Sequence, residues 1–385
     1  MKRIALLLLC ACLLLSACTA APQPTDGTTQ TTQVPSTSAP TKTTEATEAP
    51  EETQAPTTTP VEETSPDETQ TEIMIYQHPL TGEALTEPFT TRPIAVVTNN
   101  IGAAQPLMGV GSADILFEHI AEGGGSITRM LAVYTNLENA GQLGSIRSAR
   151  TYLLDLARNF DAPIAHCGTS IYAEDNIRAT GYASYDQFKY PTYYYRDKAR
   201  LDAGYSSEHT MMIDSADLVK GLKESGFDLT ADADAYYGMD FAEEVDLSGA
   251  DANKISFTFY SDSGKTTVMT YDASEGVYHG EQKWHKKDAK IIDGNTNKAV
   301  PFKNVLILCV KVKYAEDDYH VLTTMTGEGT GYFACNGKYV PIKWYRASTS
   351  DPFTYTLEDG TPLVFGIGKT YVAMLPTRSP EVKFS

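Results

Sequence analysis

From Thr19 to Glu72 the chain contains no aromatic residue, and this gap decides where a folded domain can lie. The stretch is mostly Thr, Pro, Gln, Ala and Glu. It cannot bury enough apolar surface to offset the entropy of ordering a backbone, so it reads as disordered. Asp26, Glu45, Glu48, Glu51, Glu52, Glu62, Glu63, Asp67, Glu68 and Glu72 face Lys42 alone, which puts half of the formal net charge of −18 here. Like-charge repulsion and scattered prolines keep such a segment extended. Residues 18–72 are therefore expected to be an acidic spacer, and any core must come from residues 73–385.

The residues ahead of the spacer say where it is fixed. Met1-Lys2-Arg3 opens with two cations, and an apolar run extends from Ile4 to Leu15. That run is too short to span a bilayer, which takes about 20 residues, but it suits a secretory signal over 1–17. Leu15-Ser16-Ala17-Cys18 resembles a lipobox, in which the cysteine becomes the N-terminus and carries diacylglyceryl and palmitate-type chains. An ordinary secretory signal ending near Ala20 is the alternative. The expected location is the outer face of the cell membrane, lipid-anchored through Cys18.

The remainder is long enough for two lobes. It is strongly acidic, which excludes general binding of nucleic acid or anionic membrane surfaces. Cys167, Cys309 and Cys335 are too few and too odd in number for a disulfide framework, although Cys309 and Cys335 lie in strand-like runs that leave a pair open.

Two textures divide this region. Over 73–240, strand-like runs alternate with helical patterns, as in a three-layer α/β lobe. Pro93 to Thr98, Ala113 to Glu118, Ile127 to Thr135 and Ala162 to Cys167 read as strands. A helix is expected from Ser148, with Ala149, Leu153, Leu156, Ala157 and Phe160 on one face. Helices are also expected over Ser170 to Thr180 and from an N-cap at Ser215 to Ser225. Over 241–385 helical periodicity disappears, and a mostly antiparallel β lobe is expected, with Asn336-Gly337 as a hairpin turn. Gly327-Glu328-Gly329-Thr330-Gly331 reads as a loop between strands.

Candidate chemistry gathers in the first lobe. Arg147, Ser148 and Arg150 enter a helix start, where guanidinium forks and backbone N–H groups together suit a phosphate or carboxylate. Arg129 adds a further cation. The competing reading is a structural network, the arginines pairing with Glu118 or Glu122. Asn99, Glu118, Glu122, His166 and His209 sit at strand ends and could form a polar or acid/base pocket. His166 and Cys167 are neighbours on a strand and so point to opposite faces. Ser148 could serve as a nucleophile with His166 or His209, but nothing local selects it over a helix cap. No metal-ligand spacing, phosphate loop or dinucleotide fingerprint is present, so no metal and no cofactor are expected. The tyrosine-rich stretch from Tyr182 to Tyr205 suits sugars or peptides, or simply packs over the lobe.

The order Arg92-Pro93-Ile94-Ala95-Val96, Gln105-Pro106-Leu107, Ala113-Asp114-Ile115, Glu122-Gly123-Gly124, Ile127-Thr128-Arg129, Ile146-Arg147-Ser148-Ala149-Arg150 and His209-Thr210 resembles the N-terminal half of the YerB-like lipoproteins. Asn304-Val305, Gly327-Glu328-Gly329-Thr330-Gly331 and Gly368-Lys369-Thr370-Tyr371 resemble the C-terminal half. Glu208-His209-Thr210 and Cys167 depart from the family's usual residues at those places. The resemblance implies a lipid-anchored, two-part protein and supplies no activity. The expected function is a binding or accessory lipoprotein of the cell envelope, with an arginine-lined cleft for an anionic ligand or a partner protein. A hydrolase or transferase acting on a phosphate- or glycan-containing envelope substrate is the alternative.

Overall fold

The Ile94–Asn100, Ile115–Ile120, Thr128–Tyr134 and Thr370–Pro376 strands are buried along their whole length. Near-continuous apolar runs of this kind form where both faces of a sheet are covered. The structure, a computed structural model, describes residues 76–385 except 123–126, 233, 260–264, 285–286 and 380. The expected signal and spacer lie outside the described residues. So does Tyr260, the last residue of the strand-like sequence run Ile255-Ser256-Phe257-Thr258-Phe259-Tyr260.

The fold is mostly sheet with few helices. Its principal sheet has twelve strands. Thr370–Pro376 runs parallel to both Asn304–Tyr314 and Ile115–Ile120. Ile115–Ile120 and Ile94–Asn100 then pair antiparallel with Thr128–Tyr134 between them. Ile164–His166 and Ser184–Asp186 extend that edge in parallel. Strands from either side of residue 240 thus meet in one sheet. A second, antiparallel sheet of six strands holds Lys254–Thr258, Thr266–Asp272 and Val277–Trp284 at its centre.

Strand alternation sends neighbouring residues to opposite faces of the principal sheet. Asn100, Glu118, Thr128 and Tyr371 share the face that meets the six-stranded sheet: Asn100 bonds Gln282 and Tyr371 packs against Phe257 and Phe302. Asn99, His119 and Arg129 share the other face, where the Thr151–Arg158 helix packs and Tyr152 stacks on His119 at 4.1 Å. That helix buries Leu153, Leu156 and Ala157 completely. Each leucine contributes about 1.5–3 kcal/mol relative to exposure.

Several local expectations change. The 327–331 glycine run is the start of the Gly327–Cys335 strand, paired through its length with Lys338–Arg346. A β-carbon on Gly329 would collide with the Trp344 ring, and one on Gly331 with the Ile307 carbonyl, so these glycines let neighbours close onto the strand. The Ser215–Glu224 helix has Asp214 at its N-cap, one residue before the expected Ser215. Asn336 and Gly337 both adopt positive φ, as the hairpin turn requires. Cys167, Cys309 and Cys335 are all free thiols.

Candidate functional site

The Thr151–Arg158 helix begins three residues later than its apolar pattern suggests, because the residues before it are held as extended chain. Arg147 N–H donates to the Val97 carbonyl (3.0 Å), Ala149 N–H to Gly168 (2.9 Å) and Ser170 N–H to Ala149 (3.2 Å). Arg150 occupies the N-cap in an extended conformation, with no side-chain cap bond. Both arginines therefore precede the first turn, at the end of the Ile94–Asn100 and Ile164–His166 strands.

Arg129 and Arg150 turn inward onto one carboxylate. Glu122 Oε1 accepts from Arg129 Nη2 at 3.1 Å, and Arg150 grips both Glu122 oxygens, its Nε at 3.2 Å. The three side chains are only 5%, 8% and 4% exposed, in the order Arg129, Arg150, Glu122. Arg129 Nη1 also donates to the Ser148 carbonyl at 2.7 Å, and Arg150 Nη1 to that of Ala149 at 3.0 Å. Burial, then the neighbouring Arg150 charge, pushes the Arg129 guanidinium down to about 10. Arg147 behaves differently. Its guanidinium, 26% exposed, donates to the Glu208 carbonyl (3.1 Å) and to its carboxylate (3.3 Å), which is 57% exposed.

The structure brings Asn99, Glu122, Arg129, Arg147, Ser148, Arg150, His166 and His209 to the same end of the principal sheet, and separates Glu118. Asn99 Nδ2 donates to His209 Nδ1 at 3.0 Å. Burial lowers the His209 imidazole despite Glu208 nearby. His166 Nδ1–H donates to the Gly168 carbonyl (2.8 Å), and its Nε2 accepts from the Ser184 hydroxyl (2.6 Å). Burial keeps it neutral against the pull of Asp186 at 3.7 Å. Glu118 points through the sheet to the opposite face, where it meets Lys265, Thr128, Thr267 and Tyr371.

Beside this network lies an open cleft of about 600 Å³ lined by Ser148, Thr169, Ser184, Asp186, Phe188 and Lys189, among others. Asp186 builds its floor, accepting from Gly168 N–H (2.8 Å) and Phe188 N–H (3.2 Å). Gly168 has a φ of +74°, and a β-carbon there would press on the Phe188 ring at 3.1 Å. Phe188 stands 75% exposed at the rim. Sequence reasoning passed over Ser184, Asp186 and Phe188. The signal was an apolar ring set among polar residues inside the tyrosine-rich stretch. That stretch is pinned to the lobe: Tyr182 donates to Ala162 (2.5 Å), Tyr194 to Tyr185 (2.8 Å) and Tyr205 to Gln105 (2.8 Å). Cys167 donates to Gln187 at 3.6 Å, and burial pushes its thiol up. Away from this site, Asp272, Glu275 and His279 bring possible metal-ligand atoms within 4.8 Å of one another. Asp272 is occupied in capping its own turn at Ser274, and Glu275 bonds His279 at 3.0 Å.

Residues 80–228 match the family described as "Protein of unknown function (DUF3048) N-terminal domain", and residues 255–372 match the DUF3048 C-terminal domain. The Bacillus subtilis (strain 168) protein named "Putative lipoprotein YerB" is 24% identical over 304 residues, spanning 77% of this chain and 86% of its own length. The crystal structure of YerB from Bacillus subtilis superposes with a TM-score of 0.68 at 21% identity, covering 80% of this chain and 99% of that one. Among the described residues, no helix is long and apolar enough to cross a membrane.

Proposed function

We propose, from the premise that this chain belongs to the two-domain DUF3048 family, that it is a lipid-anchored, extracytoplasmic binding protein of the cell envelope. The anchor is Cys18, and support for it comes from Leu15-Ser16-Ala17 before it and from the lipoprotein name of the Bacillus relative. Residues 73–240 supply the ligand-binding cleft in a three-layer α/β lobe, and strands of 241–385 continue its sheet. Replacing Cys18 by Ala should move the protein from the detergent phase to the aqueous phase on partitioning while leaving it folded. Unchanged partitioning would remove the lipid anchor.

The observation that carries the binding role is the cleft with Phe188 at its rim. An exposed aromatic face beside Ser148, Ser184 and Asp186 suits a sugar ring, whose apolar face stacks while its hydroxyls bond. An acidic substituent on that sugar would face Lys189, the cation of the lining, and point away from Asp186 and Glu174, while Arg147 stays paired with Glu208 outside the lining. Arg129 and Arg150 are committed to Glu122, so they position this wall without meeting the ligand. The ligand class is an envelope glycan bearing negative charge. A hydrolase or transferase reading has less support. Glu122, Asp186, His166 and His209 are each hydrogen-bonded within the protein, whereas an acid/base needs a group within reach of the substrate.

Titration with soluble muramic-acid-containing saccharides tests the assignment. Saturable binding is expected, weakened about tenfold or more in Phe188→Ala, since a buried phenyl face contributes upwards of about 1.4 kcal/mol. Saturable binding that Phe188→Ala leaves unchanged would place the ligand elsewhere.

A further inference from the structure

Behind the site, between the two sheets, three side chains are packed in a way that no ligand-binding role requires. Asn100, Glu118 and Lys265 are wholly buried. Glu118 Oε1 accepts from Asn100 Nδ2 at 2.9 Å and also from Lys265 Nζ, so a single carboxyl oxygen touches both nitrogens. Thr128 donates to that same oxygen at 2.6 Å, while Thr267 (3.2 Å) and Tyr371 hold Oε2. The Asn100 carbonyl oxygen accepts from Gln105 Nε2 at 3.2 Å, which draws electron density off the amide carbon. Aromatic rings close the chamber: the Lys265 ammonium position lies 5.1 Å from the Phe259 centroid and 5.7 Å from that of Trp284.

We propose that Lys265 and Asn100 condense into an intramolecular amide, with Glu118 as the proton carrier and ammonia as the product. The Lys265 nitrogen adds to Cγ of Asn100, forming the new C–N bond. Glu118 takes the proton released by the amine and gives one to Nδ2, whose bond to Cγ breaks, and the nitrogen leaves as ammonia. The amine and the carboxamide supply every atom of the amide and the ammonia, and no oxidant or reductant takes part. The geometry fits this shuttle because Oε1 already bonds the nitrogen that attacks and the nitrogen that departs. Burial favours it too, since desolvation drives the Lys265 amine well below its usual range, toward its nucleophilic neutral form. A charged lysine–glutamate pair in the same chamber would be costly to desolvate and weakly stabilising.

The bond would join the Ile94–Asn100 strand of the principal sheet to the entrance of Thr266–Asp272 in the six-stranded sheet. It would tie the first half of the chain to the second where the described cysteines form no disulfide. Such a link constrains the unfolded chain in the way a disulfide does, and it is indifferent to reductants.

Intact-mass measurement of the purified protein decides the matter. The expected mass is one ammonia below the full mass calculated for the processed sequence, residues 18–385 with the Cys18 lipid, and proteolysis should yield a joined peptide pair containing Asn100 and Lys265. Glu118→Gln, which keeps the shape and removes the carboxyl, should return the full sequence mass. Asn100→Asp should lose water in place of ammonia and give the same joined peptides. A wild-type protein at full sequence mass would overturn the proposal and leave an ion pair. So would a wild-type loss of water, which would make Glu118 the acyl partner. Because both readouts come from the wild type, the outcome stands even if a variant fails to fold.

Discussion

Glu122→Ala should destabilise the protein by about 3–5 kcal/mol, because it leaves the Arg129 and Arg150 guanidiniums buried without a counter-charge. The pairs are nearly closed to water, and Glu122 is the acid that both arginines share. The loss should also loosen the entry to the Thr151–Arg158 helix, since Arg129 and Arg150 hold the Ser148 and Ala149 carbonyls just before it. Glu208→Ala supplies the contrast. Its partner Arg147 is partly solvated and its own carboxylate largely so, which puts that pair in the range of about 0–1 kcal/mol. Denaturant unfolding of both variants measures the difference through the midpoint at constant slope. Equal, small losses in the two would mean that Arg129 and Arg150 find solvent or another acid, and that the arginine wall is not locked.

This contrast marks what the sequence made legible at the site. Residue types at strand ends named Asn99, Glu118, Glu122, Arg129, His166 and His209 as candidates, and a helix start named Arg147 and Arg150. They could not say which cations were free. That depends on the pairing of Thr128–Tyr134 with its neighbours, which puts Arg129 on the face of Asn99 and His119 and sends Glu118 to the other. One residue of register would have reversed both. Arg147 and Arg150 differ because Arg147 N–H bonds Val97 and holds that residue in extended chain, while Arg150 sits where the helix begins over the buried Glu122.

The buried strands were readable for a simple reason: Ile94, Ala95, Val96 and Val97, like Ile115, Leu116 and Phe117, form apolar runs, which fit a doubly covered sheet. Their arrangement was not readable. Thr370–Pro376 inserts beside Ile115–Ile120 across some 250 residues of chain, and a contact so distant leaves no local pattern. The glycine run at 327–331 misled for the opposite reason. Glycine is rare in strands by propensity, but here its missing side chain is the space that Trp344 and the Ile307 carbonyl occupy. The Lys265–Glu118–Asn100 chamber was hidden as well. Its members come from three strand regions and share no spacing in the sequence.

Acid should weaken the fold well before its carboxylates titrate. His119 is buried between the principal sheet and the Thr151–Arg158 helix, stacked on Tyr152 at 4.1 Å. Its Nδ1–H donates to the Ile120 carbonyl (2.7 Å) and its Nε2 accepts from the Thr323 hydroxyl (3.0 Å), which satisfies the neutral ring at both nitrogens. Burial lowers its pKa to about 4, against 6.5 for the ordinary imidazole. Between those values the unfolded chain takes up a proton that the native protein refuses, so stability falls as pH falls from about 6.5 toward 4 and is retained above that window. At pH 4.5 the loss from this one group is about 2–3 kcal/mol. His166 and His209, both lowered by burial, act in the same direction. His119→Phe preserves a ring against Tyr152 and removes the titration. It should start less stable at pH 7, having lost two hydrogen bonds, yet lose distinctly less between pH 7 and 4.5 than the wild type. Unfolding free energies at the two pH values in both proteins provide the check. Parallel losses would show that His119 protonates in place, and that the acid sensitivity lies in other groups.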